Sequence, residues 1–131
     1  MKTRIFLTAV LVLTLLFTAI GMFAAAFPNE ILKATQSGNA SDLAANFNDK
    51  VELILPEKSG VFSKEQAQFV MKEFFDSHRP TSFQINHEGT RDNSAYGIGT
   101  YVSSNGKYRF YFLTKNVNGK TVIIQIRIDK E

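Results

Sequence analysis

Hydrophobic and polar positions along the chain predict helices first and strands afterwards. Residues 28–36 carry apolar positions at helical spacing, and Gly38 follows them as a helix stop. Ser41 is suited to cap a second, short helix. Residues 51–55 alternate in the manner of a strand, which Pro56 ends. This part of the chain is therefore predicted as helix, helix and strand.

The clearest helix begins after Ser63, which forms a capping box with Gln66. Five apolar residues then recur at helical spacing and form one stripe. They are Ala67, Val70, Met71, Phe74 and Phe75. Pro80 prevents this helix from continuing.

From Thr81 onwards the pattern is that of strands. Residues 83–87 alternate, and 96–103, 108–115 and 121–129 are three further β-rich runs. Asn-Gly pairs at 105–106 and 118–119 predict tight hairpin turns between them. The element order ααβαββββ predicts an α+β domain, with N-terminal helices packed on one face of a curved antiparallel sheet.

The two Asn-Gly turns also predict which side chains share a face of the sheet. If both are two-residue loops, Ser104 pairs with Lys107 and Val117 with Lys120. One face then carries Tyr96, Ile98, Thr100, Val102, Arg109, Tyr111, Leu113, Lys115, Val122, Ile124, Ile126 and Ile128. The other carries Tyr101, Tyr108, Phe110, Phe112, Ile123, Gln125, Arg127 and Asp129.

We expect the first, more aliphatic face to pack on the helices. The second face then leaves a large apolar surface in water, which a second copy of the chain covers most simply. A homodimer is therefore expected, with Tyr101, Phe110, Phe112, Ile123 and Arg127 as its contact residues. A three-residue loop with a bulge is the alternative, and it flips the faces of one strand.

Residues 1–26 have the pattern of a signal peptide. Lys2 and Arg4 precede an uncharged run from 5 to 20, and Ala24-Ala25-Ala26 offers small residues at a cleavage site. We expect a mature domain of residues 27–131 in the periplasm or outside the cell, with no membrane attachment after cleavage. The alternative is an uncleaved membrane anchor, for which a run of 16 residues is short.

Charge and composition exclude several classes of function. The net charge of +3 includes Lys2 and Arg4, and without them 13 basic residues face 12 acidic ones. This balance gives no reason to expect nucleic acid as a partner. The chain has no cysteine, which excludes disulfides, thiol catalysis, cysteine zinc sites and a bacterial lipid anchor.

Several short motifs resemble domain-of-unknown-function family 4783, a group of small exported proteins mostly of Bacteroidota. The motifs lie at 37–40, 60–64, 96–100, 107–115, 119–120 and 123–128, and they span roughly the whole mature chain. That family is similar to the nuclear-transport-factor-2-like, or cystatin-like, superfamily. The resemblance implies a cone-shaped domain, but it supplies no catalytic residues, and a fold alone gives no reaction.

Three residues are candidates for a pocket. His87 shares the parity of Phe83 and Ile85, so it is a candidate general base. Arg109, on the aliphatic face, is a candidate for an acidic ligand, and Tyr111 is a candidate pocket phenol. For His87 the structural alternative is a histidine satisfied near a strand end, since no second acid or base is positioned by the sequence. For Arg109 it is an end-of-strand arginine whose head reaches water, and for Tyr111 it is core packing.

The sequence thus predicts an exported, non-enzymatic binding and dimerisation module without cofactor or metal. Its possible ligand is a small apolar or acidic molecule. The alternatives are a small pocket enzyme, an isomerase or hydrolase that uses His87, and an inhibitor of the cystatin kind.

Overall fold

The computed structural model describes residues 27–131, and the predicted signal peptide at 1–26 lies outside them. Three helices and six strands follow one another along the described chain. The helices are α1 (Asn29–Ser37), α2 (Ala40–Ala44) and α3 (Lys64–Ser77). The strands are β1 (Phe47–Ile54), β2 (Ser59–Ser63), β3 (Pro80–Arg91), β4 (Ser94–Ser103), β5 (Gly106–Val117) and β6 (Lys120–Lys130). None of these three helices has the length and apolar character needed to span a membrane.

All six strands form one sheet in the order β2-β1-β6-β5-β4-β3. The predicted fold class is confirmed, with two differences in detail. The sheet is mixed, because β1 pairs with β6 in parallel. In addition, β2 forms a hairpin with β1. The pattern did not predict this hairpin, because β2 has only five residues and they are largely exposed.

The long helix α3 packs on the inner face of the sheet. Its capping box is present, with Ser63 Oγ accepting from the Gln66 amide and Gln66 Oε1 accepting from the Ser63 amide. All five residues of the predicted stripe are buried. Phe74 meets the rings of Tyr101, Tyr108 and Phe110 at centroid distances of 5.4–5.7 Å. These aromatic contacts fill the concave side of the sheet.

The register of the β4–β5 hairpin differs from the prediction by two residues. Ser103 pairs with Gly106, so Ser104-Asn105 is the two-residue loop rather than Asn105-Gly106. Because a shift of two preserves which side chains share a face, the predicted grouping of β4 with β5 holds.

The β5–β6 hairpin begins as predicted, with Val117 opposite Lys120, but a bulge then interrupts it. Thr114 pairs with Ile123, and Leu113 pairs with Gln125, which leaves Ile124 as the extra residue. One extra residue moves every later side chain of a strand to the other face. Ile126 and Ile128 therefore lie opposite Phe112 and Phe110 rather than on the aliphatic face, as the unbroken register predicted.

This bulge reverses the predicted roles of the two faces. The helices cover the face of Tyr101, Phe110, Phe112 and Ile123, and each of these four residues has 0% exposure within a single chain. Their prediction as dimer contacts is wrong, because the aromatic face completed by Ile126 and Ile128 is the larger apolar surface and takes the helices. Arg127, the fifth residue of that prediction, is exposed on the opposite face.

Candidate functional site

One cleft of about 660 Å³ opens where α3 ends. We call it the His78 cleft. The last turns of α3 form one wall, the β1–β2 turn forms a second, and the Asn105 turn with the end of β6 closes it. Its lining is Leu55, Pro56, Glu57, Lys58, Val70, Glu73, Phe74, Asp76, Ser77, His78, Asn105, Tyr108 and Lys130. A cleft of this size is in the range of small-molecule sites.

The imidazole of His78 is held in this cleft by groups from distant parts of the chain. Its Nδ1 lies 3.0 Å from Asn105 Oδ1 and 3.1 Å from the Tyr108 hydroxyl. Asn105 Nδ2 donates to the Ser77 carbonyl at 2.9 Å, which directs Asn105 Oδ1 toward the ring as an acceptor. This arrangement favours a proton on Nδ1 and leaves Nε2 as the nitrogen that can accept one.

Aromatic rings fix the plane of the same imidazole. The Phe74 ring centroid lies 4.8 Å from that of His78, and the Tyr108 centroid lies 5.0 Å away. Tyr108 itself is buried. The cleft therefore presents a half-buried histidine on an apolar, aromatic wall.

Tyr101 supports the cleft from beneath. Its hydroxyl donates a hydrogen bond to the His78 carbonyl, and its side chain is fully buried. Burial raises the pKa of this phenol well above its ordinary value, while the nearby Arg79 acts in the opposite direction. The hydroxyl is therefore neutral at ordinary pH and serves as a donor to the helix end rather than as an acid.

Charges around the cleft are of both signs. Asp76 is paired with Lys72 at 2.7 Å and with Arg79 at 3.9 Å. The other charged side chains of the lining are Glu57, Glu73, Lys58 and Lys130. Within residues 27–131, no group of three His, Asp or Glu side chains is arranged to hold a metal ion.

A second cleft of about 590 Å³ lies at the opposite end of the sheet, beside the start of the described chain. Phe27 and Pro28 form one side, the β3–β4 turn forms another, and β5 contributes Lys115. Glu88 and Asp92 add two carboxylates to the same lining.

The structure separates the predicted pocket residues from both clefts. His87 is exposed, because Asn86 is an extra residue in β3 and moves His87 to the face of Ile98. The expectation that His87 points inward as a pocket candidate is therefore wrong. Arg109 is exposed and Tyr111 half-buried, both on the face without helices, so neither is a pocket residue.

This helix-free side of the sheet, which we call the outer face, carries a compact apolar block. Tyr96 and Ile98 of β4 lie opposite Leu113 and Tyr111 of β5. The rings of Tyr96 and Tyr111 stack with centroids 6.4 Å apart. Tyr96 is 37% exposed, and the other three side chains are half-buried against one another.

Helices followed by a curved six-stranded sheet are the nuclear-transport-factor-2-like (NTF2-like) fold. The fold is similar to that of an NTF2-like protein of unknown function from Shewanella baltica, with a TM-score of 0.62. The match covers 79% of this chain and 86% of that one. At 10% identity it shows the fold alone.

The profile of the domain-of-unknown-function family DUF4783 matches residues 28–129. The chain is 39% identical to a DUF4783 family protein from Bacteroides uniformis, with a TM-score of 0.77 over 81% of this chain and 98% of that one. A second member, from Bacteroides ovatus, is 35% identical, with a TM-score of 0.77 over 80% and 96%. The chain belongs to the DUF4783 family, which confirms the predicted resemblance. No curated protein matches it.

Nearly the whole of each of these two relatives aligns with this chain. The match takes in 98% of the Bacteroides uniformis chain, so that chain is little more than this domain. Residues 27–131 are therefore a suitable unit for experiments.

Proposed function

We propose that this protein is an exported, non-enzymatic module that pairs with a second copy of itself through the outer face. The observation that carries the proposal is the block of Tyr96, Ile98, Tyr111 and Leu113. It is the apolar part of a sheet face on which no described helix packs. Aromatic side chains, tyrosine among them, are enriched in protein interfaces.

The size of the outer face supports a second copy as the occupant. Six strands at about 4.8 Å spacing and about 3.3 Å per residue give a face of roughly 900 Å². Each partner in a standard interface buries about 800 Å². In a two-fold dimer the same patch meets itself, so one self-complementary block is sufficient.

The charges near the block are compatible with this pairing. Arg109 and Arg127 lie on the outer face together with Asp129 and Glu52. Arg127 Nε is 3.0 Å from Asp129 Oδ2 within one chain. Because both signs are present, ion pairs between two copies can form around the apolar block.

Sedimentation of residues 27–131 from about 1 to 100 μM tests the pairing. A dimer is expected, and Leu113→Lys is expected to weaken it about tenfold or more, since it replaces an apolar contact by a charge. Phe69→Lys is the matched control, because Phe69 is 60% exposed on α3, away from the outer face. A monomer throughout this range, or a stronger effect of Phe69→Lys, would contradict the proposal.

Export is the other part of the proposal. It is supported by the basic start, the uncharged run and the three alanines before Phe27. The intact mass of the protein recovered from the envelope of the producing cell tests it. A chain that still begins at Met1 would favour an anchor instead.

A second candidate function is the binding of a small ligand in the His78 cleft. The specific observation is an imidazole fixed by Asn105 and Tyr108 on an aromatic wall. Asp76 is paired with Lys72. The two other carboxylates of the lining are balanced in number by two ammonium groups, so we assign the polar contact with the ligand to His78. The ligand chemistry is a ring or short apolar body with one polar or acidic group.

Benzoate and benzamide are suitable probes, since they share a ring and differ in charge. The chain contains two histidines, so the ring signals of His78 and His87 can be followed together by NMR. Millimolar benzoate is expected to shift the His78 signal and leave that of His87 unchanged. Equal shifts by benzamide would assign the binding to the ring rather than the acid, and no shift by either probe would remove this candidate.

A further inference from the structure

Phe27, the residue that follows the predicted cleavage site, is anchored in the core. Its side chain is 9% exposed, and its ring centroid lies 5.8 Å from that of Phe112. The ring lies against Gly97 of β4, where a Cβ atom would approach two of its carbons to 2.8 Å. Glycine at 97 therefore leaves a slot that the Phe27 ring fills.

The main-chain nitrogen of Phe27 is bound as well. It donates a hydrogen bond of 2.8 Å to Glu88 Oε2 in β3, which is 61 positions away. Among residues 27–131 the ion pairs do not include Glu88, so no described lysine or arginine neutralises its carboxylate. A carboxylate on an amide N–H forms a charge-assisted bond, and it would bind an ammonium group more strongly.

We propose that Glu88 and the Gly97 slot form the binding site for the N-terminal residue of the mature chain. The proposal rests on the export part of the proposed function. Hydrolysis of the Ala26–Phe27 peptide bond consumes one water, leaves a carboxylate on Ala26 and frees the Phe27 amine, which takes up a proton. The donor beside Glu88 then changes from a neutral amide N–H to an ammonium group.

The occupant of the site is therefore an aromatic residue with a free α-amino group. Three charged side chains line the surrounding cleft, namely Glu88 and Asp92 from β3 and its turn and Lys115 from β5. Two carboxylates against one lysine favour the positive charge that cleavage creates. Processing thus completes the fold at this end of the sheet.

Four forms of residues 27–131 test the ion pair between the Phe27 amine and Glu88. They combine a free or an acetylated Phe27 amine with Glu88 or Glu88→Gln. Acetylation removes the positive charge and keeps an N–H. With the free amine, Glu88→Gln is expected to lower Tm by about 4 °C, and with the acetylated amine by much less. Glu131→Gln, at an exposed glutamate that follows β6, is the matched control and is expected to change the Tm of neither form.

The pH dependence gives a second readout. An α-amine ordinarily titrates at about 7.7–8.0, and a bound carboxylate raises that pKa in the folded state. Stabilisation by a group with a raised pKa is full below the unfolded value and is lost as pH rises through the folded value. The Tm advantage of the free amine over the acetylated form is therefore expected at pH 7 and should disappear by about pH 10.

Equal effects of Glu88→Gln in the free and acetylated forms would overturn the proposed ion pair between the Phe27 amine and Glu88. A mature protein whose measured mass corresponds to a start other than Phe27 would overturn the assignment of the site to a processed terminus. Both results are independent of the dimer, since a monomeric domain would refute the outer-face proposal and leave this one standing.

Discussion

Tyr101 and His78 join the end of the long helix to strand β4. The buried Tyr101 hydroxyl in β4 donates to the backbone carbonyl of His78, the residue that ends α3. The imidazole of the same histidine contacts Tyr108 in β5. His78 thus links the end of α3 to both β4 and β5, and the geometry of the His78 cleft depends on this link.

Tyr101→Phe is expected to destabilise the domain by about 1–2 kcal/mol, because the ring packing stays and only the donor to a helix-end carbonyl is lost. Urea unfolding of residues 27–131 measures the change. Tyr111→Phe is the matched control, since Tyr111 is half-buried on the outer face, and we expect a change within about 0.5 kcal/mol. Equal losses in both variants would contradict the role of the Tyr101 hydroxyl.

The raised pKa of the Tyr101 hydroxyl predicts that the domain loses stability at alkaline pH. Its pKa is raised in the folded state, mainly by burial, so the folded chain keeps a proton that the unfolded chain releases above about pH 10. The stability that this group contributes is therefore full below pH 10 and falls by about 1.4 kcal/mol per pH unit above it. Urea unfolding between pH 9 and 11.5 should show wild type losing stability faster than Tyr101→Phe. If the stability of the two proteins fell in parallel with pH, the contribution of the Tyr101 hydroxyl would be refuted.

Local patterns were sufficient to predict most of the fold. The capping box at Ser63, the buried stripe of α3 and the three hairpins that join β3 to β6 are visible in the sequence because each depends on neighbouring residues. The bulge at Ile124 was not visible, since Ile123 and Ile124 are both apolar and the alternation does not reveal which one is extra. Asn86 acts in the same way in β3. The unrecognised extra residue Ile124 therefore exchanged the predicted inner and outer faces of the sheet.

The candidate site was harder to predict than the fold. A histidine at the end of a helix is favoured by the helix dipole alone, and nothing local distinguishes His78 from other helix-terminal histidines. Its partners Asn105 and Tyr108 are 27 and 30 positions away and meet it only through the β4–β5 turn. The one usable signal was the combination of a helix-ending histidine with a turn asparagine. That combination acquires meaning only when the register is known.

Gly99→Ala is expected to destabilise the domain by about 1–3 kcal/mol through overpacking. A Cβ atom at Gly99 would lie 2.5 Å from the Gln84 carbonyl oxygen and 2.6 Å from the Phe83 ring. Gly60→Ala is the matched control in β2, because its nearest neighbour is the end of the Phe62 ring at 3.3 Å. Thermal unfolding compares the two. If Gly60→Ala proved the more damaging variant, the close approach of β3 to β4 would be in doubt.

Adjacent residues of β5 provide the sharpest test of which face is the core. Phe112 has 0% exposure beneath the helices, whereas Leu113 is half-buried on the outer face. Phe112→Ala is expected to cost about 3–5 kcal/mol, because it opens a cavity in the aromatic core, and Leu113→Ala about 1 kcal/mol or less. Urea unfolding at a concentration too low for pairing measures both. The reverse order would restore the unbroken β5–β6 register, in which Phe112 lies on the dimer face and Leu113 on the core.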